Sequence, residues 1–171
     1  MYDNIILIIA FGVLLTASIY LVLNRILLSD ERRRNIELLK SSKSITIPMR
    51  LQAYERLILF LERISPDTLV LRLKGQARTN SDLQLAILLQ IRSEYEHNLS
   101  QQLYVGDEIW TCVKTTKEQI VMLVNDIASR INPDADSVNL AKLIFDKLVE
   151  DGESPVSESI RKIKAEARKL L

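Results

Sequence analysis

The stretch NIILIIAFGVLLTASIYLVLNRILL, residues 4–28, holds no charged side chain between Ile5 and Asn24 and is almost wholly apolar. A bilayer's hydrocarbon core is roughly 30 Å thick and takes about 20 apolar residues at about 1.5 Å each. Ile5, Leu7, Ile9, Phe11, Leu14, Leu15, Ile19, Leu21 and Leu23 supply that length, and Ile26 to Leu28 extend it while Arg25 snorkels. Residues 1–28 therefore read as a transmembrane anchor. A cleavable signal would open on basic residues, carry a shorter apolar core and end in a small-x-small site, whereas this chain opens Met-Tyr-Asp-Asn.

Orientation follows from the flanks. Arg25, Arg32, Arg33, Arg34, Lys40 and Lys43 lie after the span, and only Asp3 and the α-amino group precede it. Positive residues stay in the cytoplasm, which predicts a single-pass protein with its N-terminus outside and its C-terminal domain cytoplasmic. The arginine triplet also has the charge to touch anionic lipid headgroups, diluted by Asp30, Glu31 and Glu37. The single cysteine, Cys112, suits a reducing compartment. This organisation is similar to that of bacterial single-pass membrane proteins, which implies the inner membrane; no diagnostic motif accompanies it and no functional residue is carried across. Within the span, Gly12 and Thr16 form a small-x-x-x-small pair that would let another helix approach.

Residues 29–47 read as a juxtamembrane helix and linker: Asp30 to Lys40 is free of glycine and proline, and Ser41-Ser42-Lys43-Ser44 suggests a break. Residues 48–171 are long enough for one domain with its own core. From Ser44 onward 17 Lys or Arg stand against 18 Asp or Glu, which leaves no nucleic-acid footprint. Only four glycines and four prolines occur in the chain, with many Leu, Ile, Glu, Lys and Gln. That composition predicts an all-α fold of about five to six helices behind the N-terminal transmembrane helix.

Pro48, Pro66 and Pro155 are suited to first-turn positions, where the missing N–H costs nothing. Leu51, Tyr54, Leu57, Ile58, Leu61 and Ile64 recur at helical spacing, with Leu59 and Phe60 widening the face into a central helix. Ser81 to Leu103 predicts a second, apolar nearly all round over Leu83 to Ile91. Leu69, Val70, Leu71 and Leu73 suggest a short helix between them, with an extended segment as the alternative that periodicity does not decide over so short a run. Asp107 is a candidate N-cap for a helix to Ile131, and Leu140 to Leu148 predicts another that stops near Gly152. After Pro155, Val156, Ile160, Ile163, Ala167 and Leu170 form a narrow seam that either closes the domain's core or meets another chain.

Chemistry is sparse. Glu94 and His97 have the Glu-x-x-His spacing of helical metal bundles, but one histidine cannot build the two motifs such a site needs. Cys112 has no local base motif, and Gly75, Gly106 and Gly152 are isolated, so no phosphate loop exists. No catalytic residue, metal, cofactor or small-molecule substrate is expected. The reading is a non-enzymatic adaptor or accessory subunit that presents a protein-interaction surface at the cytosolic face of a bilayer. Its partner would be another protein or a second copy, met by Arg161, Lys162, Lys164, Arg168 and Lys169 on the last helix. Two alternatives are an assembly factor acting through Gly12 and Thr16, and an enzyme built on His97, Glu94 and Cys112.

Overall fold

A computed structural model describes the backbone of residues 2–152 and 154–171, with side chains at 11, 12, 14–21, 23–25, 37, 43–152 and 154–171. The described chain is all-α: α1 (Tyr2–Ile64), α2 (Pro66–Leu73), α3 (Asn80–Asn98), a 3-10 turn (Leu99–Leu103), α4 (Asp107–Ser129), α5 (Ser137–Asp151) and α6 (Pro155–Arg168). Residues 1–46 form one compact unit and residues 47–171 another.

The expected break at Ser41 to Ser44 and the expected helix start at Pro48 are both corrected, because α1 runs through them with Pro48 inside it. Proline's fixed φ of about −65° is helical, and only its missing N–H and its contact with the preceding turn are unfavourable. A proline that opens a helix and one that a helix tolerates therefore look alike in sequence.

In the first unit, Phe11, Leu14, Leu15, Ile19, Tyr20, Leu21 and Leu23 are all exposed. At about 100° per residue they point around the whole helix circumference. Among the described residues no helix is long and apolar enough to cross a membrane. The expected span draws much of its apolar length from Ile5 to Ala10, Val13, Val22 and Ile26 to Leu28, whose side chains lie outside the described residues.

In the second unit the end of α1 supplies the centre of the core: Tyr54, Leu57, Phe60, Leu61 and Ile64 are buried, with Leu69 and Val70 of α2, Ile87 of α3, Val124 of α4, Ile144 of α5 and Ile163 of α6. Each fully buried aliphatic or aromatic side chain contributes about 1.5–3 kcal/mol. α3 packs on α2, α4 and α5, and α6 packs on α4. An aromatic relay links three helices: Phe60 lies 6.1 Å from Tyr95, which stacks on Trp110 at 5.8 Å with Lys117 Nζ 4.6 Å from its centroid. Although α3 is apolar nearly all round over this stretch, only one face is buried: Leu83, Ile87 and Ile91 face the core while Leu85 and Leu89 are exposed. The seam of α6 closes this core, with Val156, Ile160 and Ile163 buried and Ala167 and Leu170 packed against it.

The start of α4 shifts by one residue: Gly106 is the N-cap and Asp107 and Glu108 occupy the first turn, where carboxylates suit the helix dipole. α3 is closed by a capping box from Thr79, whose hydroxyl accepts from Asp82 N while Asp82 accepts from Thr79 N. The loops before α3 and α5 are clasped together. Asn80 Nδ2 donates to Asn132 O at 2.7 Å, and its Oδ1 accepts from Leu140 N at 3.0 Å. Thr79 and Asp136 form an antiparallel bridge, and the Ser137 hydroxyl donates to Ala77 O at 3.0 Å. Asn80 is 2% exposed, so its amide takes the place of water for two backbone groups.

Asn80→Ala is expected to destabilise the fold by about 1–3 kcal/mol, since it removes the partner of Asn132 O in the α4–α5 loop and strands the buried Leu140 N in the first turn of α5. Chemical unfolding followed by Trp110, the only tryptophan, measures it. The amide of Thr79 holds the Asp82 carboxyl below the usual carboxylate range. Its folded pKa is depressed, so this contribution is present above the unfolded value of about 4 and is lost as pH falls below it. Asp82→Asn should flatten the stability profile in that acid window, lowering unfolding midpoints most near neutrality, where the contribution is fully present, and least in acid, where the native carboxyl is protonated as well.

Candidate functional site

Glu94 and His97 stand one turn apart on α3. Glu94 is 9% exposed, and its oxygens accept Arg63 Nη1 at 3.3 Å and Gln90 Nε2 at 3.2 Å. A carboxylate removed from water needs such donors. Here they bind α3 to the end of α1. His97 is exposed on a shallow polar depression with Arg63, Ser93 and Glu96. Among the described residues no three His, Cys, Asp or Glu side chains are grouped to hold a metal ion.

Cys112 belongs to another cluster. Thr116 Oγ1 donates to Cys112 O at 2.9 Å and lies 2.6 Å from Ser159 Oγ, which lies 3.2 Å from Cys112 Sγ. A hydroxyl has one proton. With Thr116's proton on the carbonyl, Ser159 donates to Thr116 and the Cys112 thiol donates to Ser159. The circuit runs thiol, serine, threonine, Cys112 carbonyl, and it joins α4 to α6 with every proton assigned. The thiol is engaged with the Ser159 hydroxyl and the Cys112 carbonyl with the Thr116 hydroxyl. Thr116 and Ser159 escaped the sequence reading, although each interrupts an apolar stripe, Val113 to Ile120 and Val156 to Ile163.

The cations of α6 divide into two sets. Lys162 pairs with Glu158 at 2.6 Å and Lys169 with Glu166 at 2.7 Å. Those hydrogen bonds raise both ammonium groups above their ordinary range and hold Glu158 below its own. Lys164 and Arg168 carry no ion pair among the described residues. One turn apart, they edge an apolar groove of about 330 Å³ walled by Leu51 and Ile58 of α1 and Ala167 of α6. Arg161 precedes them on the same helix.

In the first unit the Thr16 hydroxyl donates to Gly12 O at 3.1 Å, satisfying its proton within its own helix. A Cβ built on Gly12 meets no atom within 4 Å, so the surface beside it is open. Arg25 is exposed, whereas the side chains of Arg32, Arg33 and Arg34, like those of Ile5, Leu7 and Ile9, lie outside the described residues.

The helices from α2 to α6, packed around the end of α1, define an all-α bundle protein. The model of a family of unknown function (DUF7935) matches residues 1–170, and the chain belongs to that family. No curated protein and no solved structure matches it.

Thr116→Val should cost about 1–2 kcal/mol by stranding the Ser159 proton. The double variant with Ser159→Ala should cost less than the sum of the single changes, because the second removes a group already stranded. Urea unfolding of the four proteins closes this cycle.

Proposed function

We propose that this protein is a non-enzymatic, membrane-tethered adaptor or accessory subunit that holds a helical interaction domain at the cytosolic face of a membrane. The observation that carries this reading is a contrast within one helix. The described apolar side chains of α1 up to Leu23 are exposed on every side, whereas Ala53, Tyr54, Leu57, Phe60, Leu61 and Ile64 form one buried face in a protein core and leave Leu59 outside it. An apolar circumference exposed at every described position suits lipid, which the uncharged run of residues 5–23 is long enough to cross. The internal hydrogen bond of Thr16 fits the same surroundings, since lipid offers no partner. Orientation rests on Arg25 and Arg32 to Arg34, placing the N-terminus outside.

Tethering raises the local concentration of whatever the domain binds without any new contact. The groove beside Lys164 and Arg168 joins apolar walls to two unpaired cations, a surface suited to protein contact. The open side of Gly12 supports a second reading, in which the span itself packs against another membrane helix.

Alkaline carbonate should leave the full chain in the membrane pellet, and its release into the supernatant would refute the anchor. In a Cys112→Ala background, Asp3→Cys should react with an impermeant maleimide on intact cells, and Ser44→Cys only after permeabilisation. Exchange of residues 1–28 for an unrelated anchor should preserve function if the domain is an adaptor. Loss on exchange, together with loss in Gly12→Leu/Thr16→Leu, would assign the work to the span.

A further inference from the structure

Two depressions of about 380 and 360 Å³ adjoin on the helical domain, sharing Leu148 and Ser154 in their walls. They form where α4 and the end of α5 meet the starts of α2 and α6. Gly152, at φ 73°, turns the chain out of α5, and Ser154-Pro155 begins α6 immediately. Ile120, Leu123 and Leu148 line the first, and Phe145, Leu148 and Ile160 line the second. Met122 and Val149, in the walls of the first and second, are 60% and 82% exposed.

The charge around this apolar groove is of one sign. Asp126 and Asp151 edge the first depression, Glu62 and Asp67 edge the second, and no lysine or arginine lines either. Asp126 and Asp151 are held by Arg130 and Lys147 from outside the lining. Asp67 accepts only the Ser65 hydroxyl, and Glu62 has no ion pair among the described residues. In a chain with a formal charge of +1, this is a local concentration of carboxylate.

We propose that the groove docks a basic amphipathic helix of a partner protein. The first depression is mainly apolar and the second sets Phe145, Leu148 and Ile160 among serines and carboxylates, which suits apolar anchors on one face of a helix with lysines and arginines flanking that face. Met122 adds an unbranched side chain that adapts to its occupant. An acidic helix or an anionic headgroup would meet like charge here. This rests on the adaptor reading and deepens it by naming the chemistry of the partner.

The test places a photo-crosslinking benzoylphenylalanine at Met122, at Val149 or, separately, at Lys164 in the full chain expressed in its own cells. The expected result is a defined adduct from Met122 and Val149 whose cross-linked peptide, sequenced by mass spectrometry, is net positive with apolar residues at helical spacing. Its yield should fall about fivefold in Glu62→Gln/Asp67→Asn, as losing rim charge pairs implies. It should hold in the charge-matched Asp134→Asn/Asp146→Asn, both variants keeping the near-ultraviolet signal of Trp110. A lipid adduct, an acidic or uncharged peptide, a second copy of this chain, a yield indifferent to Glu62 and Asp67, or no adduct would overturn the proposal. If the groove fails while Lys164 yields a defined partner, the adaptor reading stands without it; silence at all three positions removes both.

Discussion

Burial of the last three turns of α1 is the constraint on which the helical domain depends. Tyr54, Leu57, Phe60, Leu61 and Ile64 are almost wholly removed from water and form the centre on which the other helices close. Phe60 begins the aromatic relay through Tyr95 to Trp110, and Arg63 satisfies the buried Glu94. Arg50 reinforces the helix one step earlier, donating from Nε to Tyr104 O at 3.1 Å beyond the 3-10 turn. A chain that lost this segment would lose the shared contact surface of its remaining helices, because each amphipathic face is stable only against another.

Polar groups then select one arrangement among the ways such faces can pack. Hydrophobic burial is indifferent to small rotations and slides, whereas a buried amide or hydroxyl has few positions in which all its protons are placed. Asn80 meets backbone groups on both sides of the α4–α5 connection, and the Cys112–Ser159–Thr116 circuit sets α6 on α4. No buried side-chain nitrogen or oxygen among the described residues lacks a partner. These polar clusters tie elements together: the Asn80 amide joins α3 to the α4–α5 loop and the start of α5, and the Cys112–Ser159–Thr116 circuit joins α4 to α6.

The surface is where function enters. Two grooves on the domain differ in the charge of their rims: Lys164 and Arg168 with Glu55 at one, and Glu62, Asp67, Asp126 and Asp151 at the other. Apolar floor with charged edges binds through burial and chooses through charge. The proposed work of the molecule is to bring a partner to a membrane surface.

The sequence by itself determined the all-α class, because scarce glycine and proline and recurrent 3.6-residue spacing act locally. It also located α2, the stop at Gly152, the start at Ser154-Pro155 and the seam of α6. The uncharged run of residues 5–23 is a property of composition and needs no tertiary context to be read. Only the tertiary structure decided that α1 continues through Pro48, that Leu85 and Leu89 face outward, and that Asn80 clasps two loops. It also brought Glu62 and Asp67 to the groove edged by Asp126 and Asp151. The Asn80 clasp and the carboxylate groove join residues some 50 or more positions apart, and local periodicity carries no information about which faces will meet. The physical reason is that burial and hydrogen bonding are settled by the partner as much as by the residue, and the partner is chosen by packing.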